Sequence, residues 1–218
     1  MPARPPSPRI EDLPGMSDAL KALAQRGEVR HYRKGTVLMQ EGDEGGTLLI
    51  ILSGRVRVYS ANGEGRELTH GTYGPGEYIG EMSLDGGPRS ASVVTLEACS
   101  CAFVTRVLLH RFIGEHPEFA FELLTKVIWR ARAATLSAKQ LALSDVYERL
   151  VALLGRMAQD TPDGQRTLDP LPTHQALANE LGCSREMVSR LLKDLVRGGY
   201  FELSAHKLKF MRRVPDRW

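Results

Sequence analysis

The distribution of glycine and proline divides this chain of 218 residues into three parts. Short apolar runs alternate with glycine-rich turn signals over roughly residues 26–107, whereas residues 118–143 contain neither glycine nor proline. Many short strands at close spacing are typical of a β-sandwich or β-barrel. A long run without helix-breaking residues predicts a single long helix. Residues 144–218 return to short amphipathic segments joined by turns, which predict a second folded unit.

An apolar seam runs along the predicted long helix. Its members recur at spacings of three and four residues, which is the heptad spacing of a helix that pairs with its own copy in a homodimer. A helix packed against the first part of the chain is the alternative. The narrowness of the seam and its basic flanks, Arg130, Arg132 and Lys139, favour the homodimer. The seam consists of Leu124, Val127, Ala131, Ala134, Ala138 and Leu141.

Two short helices separated by a glycine turn are predicted from residue 173 onward. Thr173 is the expected N-cap of the first helix, Gly182 ends it, and Ser184 caps the second. At about 100° per residue, the second helix has an apolar arc and an opposite polar arc. Such a pair forms a helix-turn-helix, whose second helix fits the major groove of DNA. The polar arc consists of Arg185, Glu186, Ser189, Arg190 and Lys193, and the apolar arc of Met187, Val188, Leu191, Leu192 and Leu195.

The side chains of the polar arc have the chemistry that reads DNA. Arginine donates two hydrogen bonds to guanine O6 and N7, and glutamate accepts one from cytosine N4. A helix N-terminus and a serine such as Ser184 suit phosphate. From Cys183 onward the chain has nine Lys and Arg residues against four Asp and Glu residues, although its net charge is only +3. This basic excess is expected of a nucleic-acid surface, and a solvated basic face is the alternative.

The string "GEMSLDGGPRSA" combines groups that can hold a cyclic phosphodiester. Gly80 permits close backbone approach, and Glu81 can accept a hydrogen bond from a ribose 2′-hydroxyl. Arg89 offers a charge-assisted fork to a phosphate, and Ser90 adds a donor. One cation facing one anion makes burial of the anion tolerable. A surface turn with an incidental arginine is the alternative.

These two motifs resemble those of one protein family. "THQALANELGCSREMVSRLLKDL" resembles the helix-turn-helix of the CRP/FNR transcription regulators, and "YIGEMSLDGGPRSASV" resembles their phosphate-binding cassette. The resemblance extends over roughly residues 16–213 and is strongest to the cyclic AMP receptor branch. It implies an α+β fold with an N-terminal cyclic-nucleotide-binding β-roll of jelly-roll-like form, a long dimerisation helix and a C-terminal winged helix-turn-helix. The expected segments are a flexible proline-rich tail (1–15), the effector-sensing β-roll (16–117), the dimerisation helix (118–143) and the DNA-binding domain (144–218).

The resemblance also implies roles for single residues. It assigns base reading to Arg185, Glu186 and Arg190, within a palindrome of TGTGA-like half-sites about one helical turn apart. Near the phosphate backbone it places Thr173, Gln175, Ser184 and Lys193, with His206 in the wing. In the effector site it implies Gly80, Glu81, Arg89, Ser90 and Thr135.

Two departures from the family pattern leave the effector open. The stretch between Glu81 and Arg89 is shorter than in cyclic AMP-binding relatives, and only Thr135 of the pair Ala134 and Thr135 keeps a hydroxyl where those relatives have two. Cyclic AMP is the predicted effector, and cyclic GMP, cyclic di-GMP and effector-independent regulation are the alternatives. No metal is expected, because an iron–sulfur cluster needs four cysteine ligands and this chain has three cysteines.

Other classes of protein fit the sequence less well. No Ser/His/Asp or Cys/His arrangement and no nucleotide-hydrolase phosphate loop stands out, so we do not expect an enzyme. A cyclic-nucleotide module that regulates a kinase or channel would carry a catalytic or membrane segment in place of the helix-turn-helix. Cys99 and Cys101, which share a strand face with Phe103, are interpreted as small buried hydrophobes. Free thiols and the lack of an apolar run of roughly 18 residues predict a cytoplasmic protein with no membrane partner. The expected partners are duplex DNA, a second copy of the chain and RNA polymerase.

Overall fold

The computed structural model describes residues 10–143, 145–162, 164–204 and 206–215, of which the side chains of residues 139–143 are left undescribed. The chain divides into two compact units. The first contains the residues up to Ser60 together with Thr69–Ala133, and the second contains Ala61–Leu68 together with the residues from Ala134 onward. Each unit has its own apolar core.

The first unit contains a group of antiparallel strands. They are β1 (Glu28–Tyr32), β2 (Val37–Met39), β3 (Thr47–Ser53), β4 (Val56–Ala61), β5 (Glu67–Tyr73), β6 (Tyr78–Ile79), β7 (Ser92–Thr95) and β8 (Cys99–Thr105). In the described part of the chain they form two four-stranded sheets, ordered β1-β8-β3-β6 and β2-β7-β4-β5. The β-rich N-terminal domain predicted from the glycine-punctuated sequence is confirmed.

In the described part of the chain, three α-helices accompany these sheets. They are α1 (Asp18–Arg26), α2 (Arg106–Glu115) and α3 (Pro117–Leu143). The hydroxyls of Ser17 and Thr105 cap α1 and α2 by accepting hydrogen bonds from the amides of Leu20 and Leu108 at 3.0 and 3.2 Å. The predicted long helix is therefore present, and it starts at the proline that suits the first turn of a helix.

The central strand β3 is buried on both faces. Residues 48–52 are at most 1% exposed. Because successive side chains of a strand point to opposite faces, alternate residues belong to different cores. Leu48, Ile50 and Leu52 pack with α1 and α2, whereas Leu49 and Ile51 join Met39, Val93 and their neighbours in a second cluster. Strand β3 therefore packs against helices on one face and against other strands on the opposite face.

The two neighbouring cysteines behave as the sequence predicted. Cys99 and Cys101 are buried free thiols in the second cluster, with Phe103 packed against them. Burial raises the pKa of the Cys101 thiol to about 12. Both residues therefore act as small hydrophobes of the core.

The first described residues pack onto the same unit. Ile10–Asp12 form a short 3₁₀ helix, and Leu13 is only 8% exposed within the apolar core. Residues 10–15 of the predicted flexible tail are therefore part of the folded unit, because Leu13 supplies the apolar anchor. Residues 1–9 of that tail lie outside the described residues.

Helix α3 has one packed side and one exposed side. Phe119 is fully buried, whereas Phe121, Leu124 and Ile128 are 75%, 53% and 43% exposed. Val127, a member of the predicted seam, is half-buried, so the exposed apolar stripe runs through Ile128 instead. Of the other predicted seam members, Ala131, Ala134 and Ala138 are also exposed. The side chain of Leu141 lies outside the described residues.

Within the described residues, the second unit contains the last part of α3, three further helices and a small sheet. The helices are α4 (Val146–Met157), α5 (His174–Leu181) and α6 (Arg185–Arg197), and the strands are β9 (Gln159–Asp160), β10 (Arg166–Leu168), β11 (Phe201–Ser204) and β12 (Lys207–Phe210). The strand order is β11-β12-β10-β9, and β11 and β12 form the antiparallel ribbon predicted near the C-terminus. The predicted winged helix-turn-helix is confirmed. None of the described helices has a stretch both long and apolar enough to span a lipid bilayer.

Candidate functional site

The cassette begins at a glycine that no other residue could replace without strain. Gly80 has a φ of +93°, and a Cβ atom there would lie 2.6 Å from the carbonyl oxygen of Thr47 and 2.8 Å from Nη1 of Arg89. Both distances are shorter than real Cβ contacts. Because Gly80 has no side chain, the Arg89 guanidinium can pack directly against the backbone at this position. The following residues, Glu81–Ser83, form a 3₁₀ turn.

Arg89 is a buried cation that neutral groups hold in place. It is 8% exposed. Nη1 donates to Ser83 Oγ at 2.7 Å and to the carbonyl oxygens of Thr47 and Gly80 at 3.0 and 3.2 Å, while Nη2 donates to Thr47 Oγ1 at 2.7 Å. Burial lowers the pKa of the guanidinium, and Asp43 and Glu81 oppose that shift from a distance.

The charge of Arg89 has no close counter-ion within the described chain. None of its hydrogen bonds goes to a carboxylate, and no ion pair joins it to a described residue. A buried charge is costly unless an opposite charge compensates it, and arginine does not lose its proton in proteins. The site therefore fits a bound anion such as a phosphodiester, which supplies the missing charge.

Glu81 is the predicted hydrogen-bond acceptor of the cassette. Its side chain is 1% exposed and forms an ion pair through Oε1 with Nη1 of Arg130 on α3. Its other oxygen, Oε2, is buried and has no hydrogen-bond partner. A buried acceptor without a donor is unusual in folded proteins. A ribose hydroxyl is a donor of the right chemistry for this oxygen.

Arg130 is the residue of this site whose role the sequence did not reveal. Nη2 donates to the carbonyl oxygen of Tyr78 at 2.5 Å, and the guanidinium lies 4.8 Å from the centre of the Tyr73 ring. On the same helix, Lys126 pairs with Glu77 at 3.3 Å. The only sign of Arg130 in the sequence is its place among the basic residues beside the apolar seam, and the sequence does not show what these residues contact.

The other predicted effector residues are less enclosed. Ser90 follows Arg89 and is exposed. Thr135 is an exposed residue of α3, five positions beyond Arg130, and it belongs to the second compact unit. Gly80, Glu81 and Arg89 are therefore brought together in the first unit, whereas the place of Thr135 in the site stays a prediction.

In the second unit, the caps of the helix-turn-helix lie where the sequence predicted them. The hydroxyl of Thr173 accepts a hydrogen bond from the amide of Ala176 at 3.1 Å, and that of Ser184 accepts one from Met187 at 3.2 Å. Gly182 closes α5 with a φ of +64°, a left-handed conformation that favours glycine. These three local signals fix the turn between α5 and α6.

Helix α6 separates its apolar and polar faces as predicted. Val188, Leu192 and Leu195 are at most 1% exposed. The opposite face is open, and its exposed members are Arg185, Glu186, Arg190 and Lys193. Within the described ranges, no ion pair or hydrogen bond from the side chains of Arg185, Glu186 or Lys193 is found. These three side chains are therefore available to an external partner, and Arg190 has only a contact with the sulfur of Met187, at 2.9 Å.

The remaining predicted DNA contacts lie on the same unit. Gln175 is exposed, and its amide donates to Asn179 Oδ1 at 2.8 Å. His206 is exposed in the turn between β11 and β12, and its carbonyl oxygen accepts a hydrogen bond from the amide of Leu171 at 2.7 Å. The wing residue is thus tied to the segment that precedes α5. Across the described ranges, no three metal-ligating side chains are grouped together.

Comparisons with known proteins agree with this architecture. A cyclic nucleotide-binding domain matches residues 29–116, and a Crp-like helix-turn-helix domain matches residues 148–213. The chain therefore belongs to the CRP/FNR family of transcription regulators and combines a cyclic nucleotide-binding domain with a DNA-binding helix-turn-helix.

Two relatives illustrate the range of the family. The chain is 30% identical over 190 residues to the CRP-like cAMP-activated global transcriptional regulator of Mycobacterium tuberculosis (strain ATCC 25618 / H37Rv), covering 85% of this chain and 84% of that one. It is 30% identical over 182 residues to the CRP-like protein Clp of Xanthomonas campestris pv. campestris (strain B100), covering 78% of each. Among solved structures, the c-di-GMP responsive global regulator CLP of Xanthomonas campestris matches with a TM-score of 0.77 and 26% identity, over 89% of this chain and 99% of that one.

Proposed function

We propose that this chain is a homodimeric transcription regulator whose affinity for a palindromic operator is set by a cyclic nucleotide bound at Gly80, Glu81, Arg89 and Ser90. The observation that carries the proposal is the buried Arg89 guanidinium, which neutral groups hold and which forms no ion pair with a carboxylate of the described residues. A phosphodiester that binds beside the guanidinium would stabilise this buried charge. When bound, the nucleotide supplies the anion for Arg89 and a hydroxyl donor for Glu81.

Cyclic AMP is the proposed effector. One buried guanidinium matches one cyclic phosphodiester, whereas cyclic di-GMP carries two phosphates. The Mycobacterium relative is described as cAMP-activated and the Xanthomonas relative as c-di-GMP responsive, so cyclic di-GMP is the second candidate. Cyclic GMP and effector-independent regulation are the remaining alternatives. Thr135, the single hydroxyl of its pair, is proposed to contact the base.

DNA reading is proposed for the open face of α6. Arg185 and Arg190 would donate to guanine, and Glu186 would accept from cytosine, within a TGTGA-like half-site. Contacts to the phosphate backbone are proposed for Thr173, Gln175, Ser184, Lys193 and His206. Because the two copies of a dimer are related by a two-fold axis, the operator is expected to be palindromic with half-sites about one helical turn apart.

The second copy is proposed to cover the exposed stripe of α3. Phe121, Leu124 and Ile128 are large, exposed and spaced at three and four residues, which is the repeat of a helix that pairs with another helix. Two α3 helices packed along this stripe would bury those side chains. RNA polymerase as a partner and a cytoplasmic location remain expectations from the family.

Coupling between the two sites is proposed to run through α3. Arg130 of this helix contacts Glu81 of the cassette, and the same helix continues to Leu143, two residues before Asp145 caps α4. Effector binding at Glu81 would favour one setting of α3 and so one orientation of the recognition helices. By linkage, operator and effector must strengthen each other's binding by the same factor, which corresponds to about 1–3 kcal/mol.

Calorimetry with a panel of cyclic nucleotides tests this proposal. The panel contains cyclic AMP, cyclic GMP and cyclic di-GMP, each titrated into the full-length protein. We expect saturable binding of cyclic AMP and its loss in Arg89→Leu, with the dimer intact. Arg33→Leu is the matched control, because Arg33 is an exposed arginine of the same unit outside the cassette. Unchanged affinity in Arg89→Leu would remove the cassette from the proposal.

A further inference from the structure

The helix-turn-helix contains an internal hydrogen bond that has no part in the DNA contacts proposed above. Nδ1 of His174, the first residue of α5, lies 2.7 Å from the hydroxyl oxygen of Ser189 on α6. Both residues are half-buried, so the pair lies where the two helices meet. The bond ties the start of the first helix to the middle of the recognition helix.

Ser189 lies on the face of α6 that we propose to contact DNA. It follows Arg185 by four residues and precedes Lys193 by four, so the three side chains share one side of the helix. Arg185 and Lys193 are exposed, and the neighbouring Val188 is fully buried on the other side. The Ser189 hydroxyl therefore lies between two cations of the open face, at its border with α5.

The proton on the histidine ring decides what Ser189 can offer to DNA. A serine hydroxyl has one proton to donate and lone pairs to accept. When Ser189 donates that proton to Nδ1, only its lone pairs face outward. When Nδ1 carries a proton and donates it, the hydroxyl proton of Ser189 is free for an external acceptor. Phosphate oxygens, purine N7, guanine O6 and thymine O4 are all acceptors.

We propose that His174 is a positioning residue that makes Ser189 a hydrogen-bond donor to DNA. With a proton on Nδ1, the imidazole donates to the Ser189 oxygen and turns the hydroxyl proton toward an acceptor, either a phosphate oxygen or a base edge. His174 acts through Ser189 and needs no contact with the duplex. This inference rests on the DNA-binding function proposed above and extends it to one residue of α5.

A double-mutant cycle tests the link between the two residues. Operator affinity is measured for full-length wild type, His174→Ala, Ser189→Ala and the double variant, on a duplex that the wild-type protein selects from a random library with cyclic AMP present. Each single variant should bind about 3- to 10-fold more weakly, the effect of one lost hydrogen bond. The double variant should bind no more weakly than Ser189→Ala, because His174 has nothing left to position.

A conservative variant separates positioning from a general effect on folding. In His174→Asn the side-chain amide can place an N–H donor near the position of Nδ1, so it should recover most of the lost affinity. Thermal unfolding of each variant without DNA checks that the second unit is intact. A penalty from His174→Ala that persists in the Ser189→Ala background, or an asparagine variant as weak as the alanine variant, overturns the proposal.

The same variants identify the acceptor on DNA. Affinities are measured on operators substituted one base pair at a time. If Ser189 donates to a base edge, the Ser189→Ala penalty disappears at one substituted pair, and if it donates to a phosphate, the penalty is equal on every operator. Failure of the wild-type protein to select any duplex contradicts the proposed function itself, whereas selection without coupling in the cycle contradicts only the role of His174.

Discussion

Replacing Arg130 by methionine tests the buried ion pair on which the proposed effector site depends. The Glu81 side chain is 1% exposed and that of Arg130 is 13% exposed, so the change leaves a buried carboxylate without its partner. Removing one partner of a buried pair costs about 3–5 kcal/mol. The hydrogen bond to Tyr78 and the contact with the Tyr73 ring contribute roughly 1 kcal/mol each. These contributions overlap, because one guanidinium makes all three contacts, so we expect a loss of about 3–5 kcal/mol in total.

Urea unfolding of the nucleotide-free protein measures this loss. Circular dichroism follows the transition at one fixed protomer concentration, because dissociation of the proposed dimer would make stability depend on concentration. Arg132→Met, an exposed neighbour on the same helix, is the control and should change the free energy of unfolding by less than about 0.5 kcal/mol. Adding Glu81→Gln to Arg130→Met removes the orphaned charge and should restore about 1–2 kcal/mol. A double variant that loses the sum of both single losses would refute the claim that Glu81 is buried as a charge against Arg130.

Other changes test the remaining parts of the account. Arg185→Ala should cost about 1–3 kcal/mol of operator affinity and relax preference at one base pair, which single-substituted operators check; equal losses on all of them would exclude base reading. Lys193→Ala should weaken binding evenly and reduce the slope of log K against log salt concentration by about one, as a salt titration measures; an unchanged slope speaks against a phosphate contact. Leu124→Glu combined with Ile128→Glu should give monomers in sedimentation experiments, whereas Val107→Glu, at an 80% exposed position of α2, should not; a dimer that survives both changes would place the interface elsewhere. Burial raises the pKa of Cys101 from 9.0 to about 12, so the unfolded state ionises first and stability should fall as the pH rises from 9 to about 12. Cys101→Ala should flatten that fall in urea unfolding, and an identical pH profile would mean that this thiol does not ionise on unfolding.

The features that the sequence predicted well are local ones. Thr173, Gly182 and Ser184 act within one turn of the chain, so these residues mark the helix ends whatever the rest of the fold is. The glycines of the first unit likewise mark turns at their own positions. The cassette could be predicted because Gly80 and Arg89 lie only nine residues apart in the sequence.

Features that depend on distant packing were missed or shifted. Arg130 contacts Glu81 across 49 positions of the chain, and Thr47 supplies two acceptors to Arg89 from 42 positions away. The exposed stripe of α3 runs through Ile128 rather than Val127. The spacing of apolar residues does not show which side of a helix packs against its own unit. The packing of Leu13 was hidden by the proline-rich residues before it, which suggested a flexible tail.

The most direct test of the central claim is the affinity for cyclic AMP measured with and without saturating operator. Calorimetry on the full-length protein gives both values at one salt concentration. If occupancy of the Arg89 site controls the fit of α6 to DNA, the operator should tighten cyclic AMP binding by about 5- to 150-fold, and cyclic AMP should tighten operator binding by the same factor. Equal affinities for cyclic AMP with and without operator would contradict the account.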